Sequence, residues 1–305
     1  MSGNHASNRG PVAGISRRDL LKRSAALGGT ALWVTPAVQA IGMSRALAQE
    51  TSPLPPTGAG VVSGQVVDAT TGLSIAGATV AVIGTGISTV SDSGGNYTLT
   101  NVPAGTQTLE GSASGYFTAT TSVAVIDGAT VNKVIALSPI TTSDITAVLS
   151  WGAVPADLDL HASGPDGSGG RFHAAYFDKT PVGHVELDVD DTSSFGPETM
   201  SFKIHPVDGT FVAGTYRVWV HDYTNRTSGS IPQWDDSAAS VLLNGLSGQI
   251  AEYLVDAAVA AKGGVIVDED KLWRVVQFDL DTAGTVSNIV VFQNFVNGTE
   301  STTDV

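Results

Sequence analysis

From Val61 onward, apolar residues recur at every second position in short runs, and each run stops at a cluster of turn-forming residues. Strand side chains alternate faces with a period of two, whereas a helix repeats every 3.6 residues. The pattern therefore predicts half-buried strands and argues against a helical bundle. Between 60 and 138 the runs fall near 61–68, 77–83, 96–101, 105–112, 117–125 and 131–137. Asp68-Ala-Thr-Thr-Gly72, Gly84-Thr-Gly86, Asp92-Ser-Gly-Gly95, Pro103-Ala-Gly105 and Asp127-Gly128 separate them. Gly in such turns supplies positive φ, and Asp bonds to its own backbone. Between 140 and 300 the runs fall near 144–151, 157–163, 171–177, 184–190, 198–205, 215–222, 238–243, 249–255, 272–280 and 286–295. Ala251–Ala260 fits helix as well as strand. The expected fold class is all-β, as two antiparallel β-sandwich domains in tandem, the second a larger sandwich or jelly roll.

Composition narrows the chemistry. The chain has no Cys, which excludes disulfides, thiolate zinc sites, Cys nucleophiles and a lipidated N-terminal Cys. Charge is split: residues 1–48 carry a net +5 and the rest −19. So acidic a body repels nucleic acid and anionic membranes and favours cations as partners. The same acidity also serves the simpler end of keeping an exported protein soluble.

Ser16-Arg17-Arg18-Asp19-Leu20-Leu21-Lys22 resembles the twin-arginine export signal. The apolar stretch after it, Ala25 to Ile41, is broken by Gly28, Gly29 and Pro36 and is short for a membrane span of about 20 residues. Ala46-Leu47-Ala48 offers a cleavage site after Ala48, with Ala40 as a second option and an uncleaved anchor as the alternative. The resemblance implies passage through the twin-arginine translocase in a folded state, no transmembrane span in the mature protein, and a periplasmic or secreted location. Residues 49–59 read as a Pro-rich linker, and 301–305 as a tail.

The segment 60–138 carries a family pattern. Gly64-Gln-Val-Val-Asp68, Thr71-Gly72 and Ile75-Ala-Gly-Ala-Thr-Val80 come first. Ser91-Asp92-Ser-Gly-Gly-Asn-Tyr97, Leu99-Thr-Asn-Val-Pro103-Ala-Gly105, Gly115-Tyr116 and Val134-Ile-Ala-Leu137 follow. This order resembles the carboxypeptidase regulatory-like domain. The resemblance implies a seven-stranded, transthyretin-like sandwich with a carbohydrate-binding-like fold, acting as an accessory module that binds or spaces and carries no catalysis. Ser91 to Gly95 also mimics a serine-nucleophile segment. A catalytic Ser needs a His base, and 60–138 contains no His.

Residues 140–300 hold five of the six His and four of the five Trp. Leu149-Ser-Trp151, Asp157-Leu-Asp159-Leu-His161, Gly164-Pro-Asp-Gly167, Leu187-Asp-Val-Asp-Asp191 and Gly214-Thr-Tyr-Arg-Val-Trp-Val-His221 resemble an exported bacterial domain of the YfaP type. Alternation sends Leu158 and Leu160 inward and Asp157, Asp159 and His161 outward. It likewise places His184, Glu186, Asp188 and Asp190 on one face, and Arg217, Trp219 and His221 on one face. Asp157, Asp159, Asp188, Asp190, Asp191 and Glu198 are the candidate metal ligands, with Ca²⁺ the expected ion because it takes six to eight oxygens. Zn²⁺ or Cu²⁺ on the His set is the lesser option, and a solvated acidic face is the structural alternative. His161, His184, Arg217, Trp219 and His221 are the candidate ligand-binding residues. Trp219 and Trp234 suit either sugar stacking or packing, while Trp151 and Trp273 read as core.

No Gly-x-Ser-x-Gly, His-Glu-x-x-His or phosphate loop is present. The expected function is a non-catalytic exported protein of the bacterial envelope that binds or scaffolds, stabilised by Ca²⁺. Its partner is a glycan or another envelope protein. A carbohydrate-binding protein is the first alternative, and a hydrolase using the paired acids the second.

Overall fold

The computed structural model describes residues 58–141 and 143–298. The expected signal with Arg17, Arg18 and the cleavage site, residues 49–57 of the expected linker, and the 301–305 tail lie outside the described residues. Among the described residues no helix is long and apolar enough to cross a membrane.

The first sandwich contains β1 (Ala59–Asp68), β2 (Thr79–Val82), β3 (Ile87–Val90), β4 (Asn96–Pro103), β5 (Gly105–Ser112), β6 (Ala119–Val125), β7 (Thr130–Asn132) and β8 (Ile135–Leu137). One sheet has the order β4-β1-β7, with β8 also on β1, and the other β3-β2-β5-β6. Val62, Val66, Val80, Tyr97, Leu99, Leu109 and Leu137 fill the space between them. β7 and β8 both run parallel to β1, along Val61–Ser63 and Val66–Asp68. They amount to one strand broken at Lys133 and Val134, so eight segments stand where the family resemblance implies seven. At the break the backbones touch. Lys133 donates its N–H to Ser63 O at 2.8 Å, and a Cβ on Gly64 would lie 1.9 Å from Lys133 O. Ser91 is structural: its hydroxyl accepts from Ala78 N–H at 2.9 Å and donates to Ile75 O at 2.7 Å. The Asp92 carboxylate caps its own turn, taking the N–H groups of Gly94 and Asn96, while Gly95 sits at φ +77°.

The second sandwich contains β9 (Asp144–Ser150), β10 (Asp159–Pro165), β11 (Arg171–Ala174), β12 (Val185–Val189), β13 (Glu198–Lys203) and β14 (Gly214–His221). After the short helix α1 (Trp234–Ser237) come β15 (Ser240–Gly245), β16 (Gly248–Leu254), α2 (Val255–Ala261), β17 (Leu272–Leu280) and β18 (Val286–Val296). The Ala251–Ala260 ambiguity resolves in both directions, as the end of β16 and most of α2. Two antiparallel sheets face each other, β11-β10-β14-β17-β18 and β12-β13-β9-β15-β16. Trp151, Leu158, Leu160, Phe202, Tyr216, Trp273 and Phe278 form the core between them, each side chain contributing about 1.5–3 kcal/mol by burial.

The two sandwiches share an interface. The inner faces of β9 and β15 point into the second core, yet their outer faces are buried as well. Val148 and Leu242 belong to the core of the first sandwich. Polar pairs flank them. Asn244 donates to Ser138 at 2.9 Å and Thr146 at 3.1 Å, and Lys133 Nζ donates to Ser240 at 3.3 Å. At the rim Gln249 exchanges hydrogen bonds with the Thr120 backbone at 2.7 and 3.1 Å, and Glu252 accepts from Thr121 at 2.6 Å.

Gly64→Ala is expected to destabilise the protein by about 3 kcal/mol, because the new methyl must push the Lys133 backbone away from β1. Urea unfolding of the variant against wild type measures it.

Candidate functional site

Acidic and imidazole side chains gather at one end of the second sandwich. In the ladder between β10 and β14, Asp159 sits opposite His221 and His161 opposite Trp219. Directly opposed side chains in an antiparallel pair have Cβ atoms about 4.5–5.5 Å apart. From the facing sheet, Glu198 at the start of β13 accepts the Leu160 N–H at 2.6 Å. Asp157, Asp159 and Glu198 thereby each bring a carboxylate oxygen within 4.8 Å of the others, as do single ligand atoms of Asp159, His161 and His221.

Burial sets the electrostatics. Asp159, His161, Glu198 and His221 are at most 2% exposed. The outward face of β10 and β14 is therefore not a solvated face. It is covered by Phe177 and Tyr223, which pack against the imidazoles at ring-centroid distances of 5.1 to 6.3 Å, with Tyr176 packed on both of these rings at 5.3 Å. Desolvation first, then Asp159, pushes the Glu198 carboxyl well above its usual range. Desolvation, with repulsion from Asp159 and Asp190, raises Asp157 to about 6. Burial also depresses the imidazoles, His161 well below its ordinary value and His173 to about 4. One Glu198 oxygen, Oε1, has no hydrogen-bond partner, and neither has Asp157 Oδ1. Carboxylates crowded in this way are stabilised by a shared cation, and oxygen-only donors suit a hard one.

Several expected residues lie elsewhere. Asp188 is held by Ser201 and by Lys203 at 3.2 Å. Residue 188 is the extra residue of a register shift between Leu187 and Val189, so simple alternation fails there and Asp188 parts from Asp190. Asp190 pairs with Lys179 at 2.7 Å but stays beside the acids, acting on both Glu198 and Asp157, whereas Asp191 caps its own turn through Ser193 at 2.9 Å. His184 donates to Pro165 O at 3.1 Å and packs on His205, away from His161. Arg217 donates to Gln277 at 3.0 Å. Trp219 is 1% exposed and stacks on His161, and Trp234 is fully buried against Phe295, so neither offers a sugar-stacking surface. His173, one of the five His of the expected set but not among the candidate ligand-binding residues, joins the cluster: its Nε2 meets His161 Nδ1 at 2.9 Å. It stands on β11 opposite Ser163, a register with no signature in the local sequence.

A separate cleft of about 380 Å³ opens between the sandwiches, lined by Thr70 and Phe117 on one side and Glu186, Asp188, Lys203 and Asn244 on the other.

Comparison with known proteins matches residues 62–146 to the model of the CarboxypepD_reg-like domain, which covers the first sandwich and the opening of β9. No curated protein matches the chain. Among solved structures, an interface mutant of a type II cohesin–X-dockerin complex from Acetivibrio cellulolyticus is 26% identical over 26% of this chain and 57% of that one, with a TM-score of 0.23. This chain thus spans little more than half the length of that match. A streptococcal ancillary pilin is 12% identical over 64% of this chain and 59% of its own, at 0.23. The Bacillus anthracis TIE protein is 12% identical over 79% and 49%, at 0.24. Scores this low do not establish a shared whole-chain architecture.

Replacing Glu198 separates its two roles. In metal-free protein Glu198→Ala is expected to cost about 1–3 kcal/mol, since the Leu160 N–H is left buried and unpaired. Glu198→Gln keeps an acceptor and removes a buried acid, so its unfolding midpoint in urea is expected at or above that of wild type.

Proposed function

We propose that this chain is an exported, non-catalytic protein of the bacterial envelope, built for contact, with a Ca²⁺ ion bound by Asp157, Asp159 and Glu198. The observation that carries the metal part is Glu198, a carboxyl with no exposed surface, an unpartnered oxygen and two further carboxylates beside it. The contact role is supported by the accessory-module family matched at 62–146 and by the way that module is joined face to face with the second sandwich. Export is supported by Arg17 and Arg18 in their signal context and by the likeness of the second sandwich to YfaP-type exported domains. A glycan partner is the second reading. With Trp219 and Trp234 buried, it rests on the inter-sandwich cleft, where Phe117 supplies an apolar wall and Lys203, Glu186 and Asn244 supply polar groups.

Millimolar Ca²⁺ is expected to raise the melting temperature of metal-stripped protein and chelator to reverse it, because a ligand bound only by the native state stabilises it by ~2.7 kcal/mol at a hundredfold excess over its Kd. In Asp157→Asn the response is expected to be lost. An equal Ca²⁺ response in both proteins contradicts the assignment. The metal-free pH profile carries the same signature. A free Asp titrates near ~3.9, whereas folded Asp157 titrates at about 6, so the folded state binds the extra proton between those values. Its stability contribution consequently falls as pH rises through that window. Without Ca²⁺, Asp157→Asn is expected to melt above wild type at neutral pH and level with it near pH ~4; excess Ca²⁺ reverses the neutral-pH order.

Replacing Arg17 and Arg18 together by Lys is expected to leave the protein in the cytoplasm, read by fractionation and immunoblot. Undiminished export of that variant defeats the twin-arginine route.

A further inference from the structure

The geometry points to a second metal centre: Asp159, His161 and His221 together form a site for a divalent first-row transition metal such as Zn²⁺. This site does not rest on the Ca²⁺ reading, with which it shares only Asp159.

Three observations meet here. First, the strand ladder aligns the donors. Asp159 and His161 are two apart on β10 and share a face, and His221 stands directly across from Asp159. One ligand atom from each lies within 4.8 Å of the other two. Second, both imidazoles are almost wholly buried, at 0% and 1% exposure, and each keeps a ring nitrogen with no hydrogen bond. In His161 that atom is Nε2, because Nδ1 is already engaged by His173. In His221 it is Nδ1, which lies 3.7 Å from Asp159 Oδ2, too far for a hydrogen bond. A buried polar atom left unpaired costs about 1–3 kcal/mol, and this cluster contains two such nitrogens, on rings whose centroids are 5.9 Å apart. Third, the surroundings are those of a metal ligand shell. His173 fixes the ring orientation and tautomer of His161 from behind, the role that outer-shell partners play for metal-bound imidazoles. Trp219 stacks on the His161 ring at 5.4 Å and Phe177 closes the edge, so the donors are held in place and screened from solvent.

The donor set decides the ion. Two imidazole nitrogens and one carboxylate suit Zn²⁺, Cu²⁺, Ni²⁺ and Co²⁺, and discriminate against Ca²⁺ and Mg²⁺, which take oxygen. Three protein ligands leave at least one coordination position for water. Asp159 also belongs to the oxygen triple with Asp157 and Glu198, so one residue serves two donor sets of different hardness.

The test titrates metal-stripped full-length protein with Co²⁺, read by visible absorption, with Zn²⁺ as competitor. One equivalent of Co²⁺ is expected to give a ligand-field band that Zn²⁺ abolishes. His161→Gln and His221→Gln are expected to lose the band, and His173→Phe to bind about tenfold more weakly. X-ray absorption of the wild-type Zn²⁺ form is expected to show scattering from two imidazoles, a readout that needs no variant to fold. Asp157→Asn is expected to keep the Co²⁺ band while losing the Ca²⁺ response, and the two His variants to do the opposite, so either site can fail without the other. Absence of a band in wild type, a band that survives in His161→Gln, or a zinc shell without imidazole overturns the assignment.

Discussion

A carboxyl group without solvent contact ties the two sheets of the second sandwich together at the end where the acids and imidazoles gather. Glu198 begins one sheet, and the Leu160 N–H it accepts belongs to the other. That single bond fixes where β10 enters the core, and with it the positions of Asp159 and His161 on either side of Leu160. The bond also brings a third acid beside two others in a desolvated place. Desolvation and like-charge repulsion act in the same direction on Glu198 and Asp157, and both raise the carboxyl above its ordinary value. Burial thus favours the neutral forms of Glu198, Asp157, His161 and His173 alike.

The join between the sandwiches follows a different logic. β9 and β15 are buried on both faces, a condition usually met by strands of parallel sheets beneath helices. Here the second cover is another sandwich. The contact is apolar at Val148 and Leu242 and polar at its margins, where Asn244, Ser240, Gln249 and Glu252 pair with the first sandwich. Lys133 is the unusual member. Burial pushes its ammonium below the ordinary value, opposed by Glu252 and Asp256. It stands at the break between β7 and β8, so the interruption of that strand and the docking of the second sandwich meet at one residue.

Strand positions were largely legible. Period-two runs between Gly- and Asp-rich turns located all ten strands of the second sandwich to within a few residues, because a strand with one face in a core must alternate. The inward residues were legible for the same reason: Leu158, Leu160, Tyr216, Val218 and Val220 all reach the core. Alternation says what shares a face and is silent about what covers it. Asp159, His161, Trp219 and His221 share a face as alternation expected yet read equally well as a solvated row; the expected strand 171–177 ends at Ala174, and it is past the ends of β11 and β14 that Tyr176, Phe177 and Tyr223 bring the covering rings. A one-residue register shift was equally invisible, and it removed Asp188 from the acids. Glu198 could be named as a ligand but not as a bridge between sheets, since long-range register has no local signature.

The doubly covered β9 and β15 bear on how such chains evolve. Small β-sandwiches in tandem are usually pictured as beads that recombination can add, delete or reorder. In this chain the boundary between beads runs through shared packing, and cutting near 139 would expose Val134, Val148 and Leu242 to water on both fragments. Inheritance should therefore treat residues 58–298 as one indivisible cassette, and orthologues that retain one half are expected to have repainted that face with charge.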